Sequence, residues 1–492
     1  MSRSNLERYF NRFRRKTVGY NKCYRSPYGW KKMIYADWIA SGRLYGPIER
    51  RMSQIIGPWV ANTHTETSES GTLMTKAYHY SHQLIKKHVN AGPNDVILTA
   101  GSGMTTMVNK LQRILGLRTC GRLSGSECLN CSEKPVVFLT HMEHHSNHMS
   151  WNESNVDVVL LDPDPDLLIS LDELENKLKK YQDRKLKIGA FTACSNVTGI
   201  ETPYHQMAKL MHEHGGICFI DFAASAPYVK IDMHPADPME KLDGIYFSPH
   251  KFLGGPGSSG VLIFDASLYT RQTPDNPGGG TVDWTNPWGE YKYIDDIELR
   301  EDGGTPGFLQ AMRAALAVRL KEQMGVEKMR AREDELLGLA FSEMNKIPGL
   351  HILADQVKHR LGVISFYIDG IHFNLVVKLL SDRYGVQVRG GCACAGTYGH
   401  FLLNVSHDDS RRITDLINHG DLSLKPGWVR LSLHPTMTTA ELRTVIKALR
   451  EIQANHQVWG QDYEYNNHNN EFRHKHQLAD RMEEVLPWFD AI

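Results

Sequence analysis

The chain has 492 residues, 41% of them hydrophobic, and its 56 Lys and Arg balance its 56 Asp and Glu, so the formal charge is zero. Length leaves room for two to four domains with a large core, while zero net charge excludes a global field that would draw in nucleic acid or a membrane surface. No apolar run approaches the roughly 18 residues of a membrane-spanning helix, and eight cysteines over this length form no disulfide framework, so a reducing cytoplasm is the expected setting.

In chain order, the basic stretch Arg12–Lys16 follows Glu7 and lacks an apolar segment, so it reads as an ordinary extension rather than a targeting peptide. From about residue 94, apolar runs alternate with amphipathic stretches. Val96–Thr99, Val136–Thr140, Val158–Leu161, Ile188–Thr192, Ile217–Ile220, Ile245–Phe247 and Val261–Phe264 read as strands, with helical patterns at Thr105–Leu115, Leu171–Tyr181 and Tyr204–His214. This alternation predicts an α/β unit whose mostly parallel, seven-stranded sheet is covered by helices on both faces. Beyond Pro306 come long helical patterns, Leu309–Met324 and Val326–Lys346. Short strands, Val363–Tyr367 and Val386–Val388, and a helix from Thr439 to about Ala454 complete a smaller α+β domain. The expected division is an N-terminal extension over 1–34 and a large domain over 35–308, with an insertion at about 117–134. A small domain follows over 309–456, with an insertion at about 400–426, then a polar tail over 457–492. The tail reads as peripheral, with its end, Val485–Phe489, packed on something.

Ligands in open α/β sheets bind beyond the carboxyl ends of the strands, and the reactive side chains here all follow strand runs. Leu98-Thr-Ala-Gly101-Ser102-Gly103 leads into a helix start, where free N–H groups suit a phosphate; many strand–helix turns look the same. Glu143-His144-His145-Ser-Asn147 offers an imidazole for a flat ring, or a helix N-cap. Asn196, in Ser195-Asn-Val-Thr-Gly199, is a donor for a phenolate oxygen, or a plain turn residue. Asp221 ends the run from Ile217. Asp243-Gly-Ile-Tyr-Phe-Ser248-Pro-His250-Lys251 carries a strand into a Ser, a His and a Lys, and burial favours the neutral, nucleophilic amine. Amine, phosphate donors and carboxylate together are what pyridoxal 5′-phosphate requires.

The ordered set Gly-Ser-Gly, Glu-His-His-Ser-Asn, Ser-Asn-Val-Thr-Gly, Asp-Phe-Ala-Ala-Ser and Ser-Pro-His-Lys resembles class V aminotransferase-fold enzymes, nearest to the cysteine desulfurase and selenocysteine lyase branch. The likeness runs from about Tyr35, in Tyr35-Ala-Asp37, to about Gln453. It implies pyridoxal-phosphate fold type I. Lys251 would link covalently to the cofactor, Asp221 would partner its pyridine nitrogen, His144 would stack on the ring and Asn196 would contact the phenolate oxygen. Ser248, His250 and the Ser102/Gly103 backbone would hold phosphate. Thr305, in Gly304-Thr-Pro306, would reach the phosphate of a partner subunit, implying a homodimer with shared active sites. The chain departs from the desulfurase pattern at Ala224, where a Gln amide normally also reaches the phenolate oxygen; Ser225 or a water is the available substitute.

Val388-Arg389-Gly-Gly-Cys392-Ala-Cys394-Ala-Gly396 is similar to the desulfurase nucleophile loop and puts the nucleophile at Cys394. A thiolate there would take the substrate sulfur as a persulfide. Taken by themselves, two cysteines one residue apart also read as a metal half-site, a redox pair or two inert thiols. Arg430, in Trp428-Val-Arg-Leu-Ser432, matches the carboxylate-binding arginine, a role its bidentate guanidinium suits; an ion pair is the structural alternative. Cys120, Cys128 and Cys131 supply three zinc ligands where a closed site wants four. Cys23 or a histidine would have to complete them, so a reduced loop without metal is the plainer reading.

These likenesses imply a pyridoxal-phosphate enzyme cleaving the C–S bond of L-cysteine or a related amino acid, giving alanine and a persulfide that a sulfur-acceptor protein could receive. The rivals are β-elimination to pyruvate, another class V reaction, and a retired scaffold or sulfur-carrier platform; an intact Lys251, Asp221 and His144 argues against retirement.

Overall fold

The computed structural model describes residues 4–118, 134–476 and 481–490, which form two compact units. The larger comprises Lys16–Val18 and Ile39–Ala331; the smaller takes the described residues of Met1–Arg15, Gly19–Trp38 and Arg332–Ile492. The expected cysteine insertion, with Cys120, Cys128 and Cys131, lies outside the described residues. Among the described residues no cluster of His, Cys, Asp or Glu could hold a metal, and no helix is long and apolar enough to cross a membrane.

The seven apolar runs all become strands: β1 (Asp95–Ala100), β2 (Val136–Thr140), β3 (Asp157–Leu161), β4 (Lys187–Thr192), β5 (Ile217–Asp221), β6 (Gly244–Phe247) and β7 (Gly260–Asp265). They form one sheet in the order β1-β7-β6-β5-β4-β2-β3. Every residue of β2, β4 and β6 is buried, which is why these strands read as continuous apolar runs rather than alternating ones. Only β7 breaks the parallel set, running antiparallel to both β1 and β6. Helix α1 (Glu69–His88) precedes the sheet, and α2 (Met104–Ile114) follows β1 and buries Met107, Val108, Leu111 and Ile114, one helical stripe. Next come α3 (His145–Asn152), α4 (Leu171–Lys180) and α5 (Tyr204–Glu213). The α4 ends follow from sequence: Ser170 accepts the Glu173 N–H as N-cap, acids open the helix, and lysines close it. Helix α6 (Phe308–Met324) closes the large unit, and α7 (Val326–Met344) carries the chain across the division.

The smaller unit is built on β8 (Leu350–Ile352), β9 (Val363–Ile368), β10 (Arg389–Gly391) and β11 (Trp428–Ser432), antiparallel in the order β8-β9-β11-β10. Its helices are α8 (Phe373–Tyr384), α9 (Gly396–Leu402), α10 (His407–Asn418) and α11 (Thr439–Trp459). The N-terminal stretch is no loose extension. Helix Asn5–Arg14 buries Phe10 and Phe13, and the Glu7 carboxylate accepts from the Thr439 N–H at 3.0 Å and pairs with buried Arg332 at 3.2 Å. Ile34–Tyr35 pairs in parallel with Val386–Gln387. The tail also departs from expectation. A hairpin, β12 (Tyr463–Asn466) and β13 (Glu471–His474), places Tyr463 in the core of this unit, whereas Trp488 and Phe489 are 76% and 83% exposed rather than packed.

Candidate active site

Because β7 runs against both neighbours, β1 points the same way as β6, and β2, β4 and β5 join them. The residues singled out after these strands therefore share one edge of the sheet. Thr192, Asp221 and Tyr246 are in register across β4, β5 and β6.

Two connections meet at this edge. The Ser248 hydroxyl, following β6, accepts the Met104 N–H at 2.9 Å, at the first turn of α2. His250 Nδ1 donates to the Ser102 carbonyl at 2.7 Å, which leaves Nε2 as an acceptor if the ring is neutral. A Cβ on Gly103 would come within 3.0 Å of Ser248 Oγ and 3.1 Å of His250 Cε1. The result is a tight cradle of hydroxyl, imidazole and helix N-terminus, in which the Ser248 O–H and the helix N–H groups are the donors a phosphate needs, and His250 Nε2 joins them only when the ring is protonated. Lys251 closes the short helical turn Pro249–Lys251 and is half-buried.

The Asp221 carboxylate is wholly buried. Burial pushes it up to about 6, the Ala223 N–H donates to it at 2.8 Å, and the charge of Lys251 draws it back down. A carboxylate in such a place is stable as an anion only beside a cation, and a protonated pyridine nitrogen meets that need. His144 caps α3, its Nδ1 accepting the Ser146 N–H at 3.1 Å, so the helix N-cap alternative is present in the structure and the ring proton belongs on Nε2. Beneath it, buried Glu143 accepts from Thr140 Oγ1 at 2.7 Å, the Thr192 N–H at 2.8 Å and Asn147 Nδ2 at 2.8 Å, tying the ends of β2 and β4 together. Burial raises its carboxyl to about 7 despite these donors. Asn196 is buried in a turn held by Ser195 Oγ, which accepts from the Val197 and Thr198 N–H groups. The Ser225 hydroxyl, 1% exposed, has no hydrogen-bond partner among the described residues, an orphan donor four positions beyond Asp221. Cradle, buried anion and orphan hydroxyl fit pyridoxal phosphate.

Thr305 stands apart from this set, exposed after Gly304. The chain leading to it is anchored by a buried ionic cluster that sequence reasoning missed: Lys110 Nζ lies 2.5 Å from Glu301 and 3.5 Å from Asp275, and Arg113 pairs with Asp275 at 2.6 Å. Nothing local in the sequence links residues 162 to 191 positions apart.

The remaining candidates belong to the smaller unit. Arg430 on β11 is 3% exposed and its Nη2 lies 3.0 Å from Asp37 Oδ1; Arg389 on β10 shares the same carboxylate at 3.2 Å. The ion-pair alternative is therefore present in the structure, and Asp37 is the residue sequence reading had no reason to join to it. Burial lowers the Arg430 guanidinium, against the attraction of Asp37. Cys394 is exposed and Cys392 partly so, on the loop that leaves β10.

The chain is similar in sequence and fold to known proteins. The family model for aminotransferase class-V matches residues 34–445. A "Probable cysteine desulfurase" of Halalkalibacterium halodurans is 27% identical over 371 residues, covering 74% of this chain and 84% of that one; one from Staphylococcus aureus (strain N315) is 27% identical over 370 residues, with the same coverage. Among solved structures, a cysteine desulfurase from Thermococcus onnurineus superposes with TM-score 0.71 at 21% identity, covering 90% of this chain and 98% of that one. One from Escherichia coli gives 0.67 at 20%, covering 85% and 94%. These likenesses establish the fold as that of type I pyridoxal-phosphate enzymes, and the chain belongs to the aminotransferase class-V family, enzymes that depend on pyridoxal 5′-phosphate.

Proposed function

We propose that the chain is a cysteine desulfurase, removing sulfur from L-cysteine to leave alanine and a persulfide on Cys394. The observation that carries this reading is geometric: the exposed Cys394 thiol lies on the loop that leaves β10, and the buried Arg430 sits on β11, the strand paired with β10. An amino-acid carboxylate and a nucleophile for its sulfur are thereby provided for together. Relatives described as cysteine desulfurases support it.

Lys251 would carry the cofactor, with Asp221 against its ring nitrogen, His144 on its face and Asn196 at its phenolate oxygen. Ser248, His250 and the Ser102–Gly103 backbone would hold its phosphate. When bound, pyridoxal 5′-phosphate supplies an electron sink for the pair left at the substrate α-carbon. Arg430 exchanges part of its hold on Asp37 for the substrate carboxylate and fixes the amino acid's orientation. The Lys251 amine removes the α-proton and returns a proton to the carbon skeleton. Cys394 Sγ attacks the substrate sulfur; the S–S bond forms as the C–S bond breaks. The assembly we infer is a homodimer in which Thr305 reaches the partner subunit's phosphate, in the cytoplasm, with a sulfur-acceptor protein taking the persulfide.

The test is product identification after incubation with L-cysteine and a thiol reductant. Alanine with sulfide is the expected result, and Cys394→Ala should abolish sulfide release. Pyruvate and ammonia, with Cys394→Ala as active as the parent, would show β-elimination instead.

A further inference from the structure

The nucleophile loop carries a second thiol that the desulfurase reading does not use. Cys392 and Cys394 stand at the first and third positions of a tight turn, closed by the Ala395 N–H donating to the Cys392 carbonyl at 3.1 Å. Both central residues, Ala393 and Cys394, are left-handed, with φ of 52° and 57°. Neither is glycine, so each stores backbone strain, and Gly391, at φ 109°, bends the chain into the turn just before them. Such a loop holds its two cysteines on one bend. Consecutive Cα atoms are about 3.8 Å apart, so the two cysteine Cα atoms are less than about 7.6 Å apart even if extended, and a turn shortens this into the roughly 4.4–6.8 Å span of a disulfide. Both thiols are solvent-accessible to some degree, whereas Cys194 and Cys218 are buried.

We propose that Cys392 is a resolving thiol for Cys394, an inference that rests on the persulfide reading above. The Cys392 thiolate attacks Sγ of the Cys394 persulfide. The Cys392–Cys394 S–S bond forms, the bond from Sγ to the outer sulfur breaks, and that sulfur leaves as hydrosulfide. The two cysteine sulfurs are oxidised to a disulfide as the sulfane sulfur is reduced to sulfide; the proton given up by Cys392 goes to solvent. Attack at Sγ is favoured because hydrosulfide is a better leaving group than an alkyl thiolate. A low-molecular-weight or protein dithiol then reduces the disulfide, becoming oxidised in turn and restoring both thiols. The loop would thus discharge sulfur as free sulfide when no acceptor takes the persulfide.

The test uses full-length protein reconstituted with cofactor, freed of reductant, in two arms. One receives a single equivalent of L-cysteine; the other receives inorganic polysulfide, which loads the thiol without turnover. Acid-trapped peptides spanning the loop are analysed by mass spectrometry and sulfide is measured. In the parent protein both arms should yield a 392–394 disulfide, two hydrogens lighter than the dithiol, with matching sulfide. Cys392→Ser should form no such disulfide and keep the Cys394 persulfide more than about tenfold longer. Discharge of Cys392→Ser at the parent rate, or accumulation of the added sulfur on Cys392, would overturn the proposal. If L-cysteine never labels Cys394 in Cys392→Ser, the desulfurase reading fails by itself, and the polysulfide arm still decides the chemistry of the pair.

Discussion

Asp221 shows how one residue links cofactor, charge and stability. Its folded carboxyl titrates at about 6, above the ordinary 3.8, chiefly because it is buried. Between those values the folded chain holds a proton that the unfolded chain has released, so this contribution favours folding below about pH 4 and is lost as pH rises through 6. By pH 8 the penalty is on the order of 2–3 kcal/mol. Asp221→Asn removes it. Thermal denaturation of the apoprotein should show the variant more stable than the parent at pH 8 and equal to it near pH 4. With cofactor present the order should reverse, because the parent alone can pair with a pyridinium. Arg430 invites a second substitution. Arg430→Ala removes a charged hydrogen-bonding partner worth about 1.5–3 kcal/mol, so KM for L-cysteine in the desulfurase assay should rise roughly 10- to 100-fold. The positions of Asp221 and Lys251 at strand ends were legible because an apolar run leads into each, Asp221 closing its run and Lys251 following its run by four residues. Asp37 was not, since the Arg430 it meets lies 393 positions away and no local pattern encodes that pairing.

At the scale of elements, the site depends on how closely the α2 N-terminus approaches the turn after β6. Gly103 is extended, at φ −179°, so its requirement is for space rather than for an unusual backbone. A valine there would press its side chain against Ser248 Oγ and His250, the first 3.0 Å from the position of its Cβ, and spread the cradle. Gly103→Val should therefore weaken cofactor retention by at least about tenfold, measured by dialysis against falling cofactor concentrations, with Gly103→Ala intermediate. The strands framing this cradle could be read directly: buried on both faces, they are continuous apolar runs with no need to alternate. The N-terminal helix could not be read in the same way. Its aromatic stripe is visible, but the fate of Glu7 is decided by Arg332 and Thr439, more than 300 residues on. The tail misled for a related reason: its composition is polar, yet Tyr463 and Phe472 turn one face of a short hairpin toward the core of the smaller unit.

Across the whole molecule, net neutrality conceals buried groups whose titrations oppose one another. In the larger unit Glu143 is raised to about 7, and Asp221 and Asp302 to about 6, each chiefly by burial. In the same unit His82 is lowered to about 3 by burial. The smaller unit holds His434, also lowered to about 3, stacked on Trp38 at 3.9 Å between ring centroids. A buried histidine that stays neutral contributes full stability above its ordinary 6.5 and loses it as pH falls, because only the unfolded chain takes up the proton. At pH 5 that loss is about 2 kcal/mol for each. In the larger unit the protonated carboxyls, which favour folding at low pH, offset the losses from His82 and from His88, lowered by burial to about 4. His434→Phe leaves the Thr436 N–H without the acceptor it now has at 3.2 Å, a cost that is nearly constant with pH. The variant should thus be less stable at pH 7.5 but should lose about 2 kcal/mol less than the parent between pH 7.5 and 5. Equal pH dependence in the two proteins would exclude His434 as the source of the acid sensitivity.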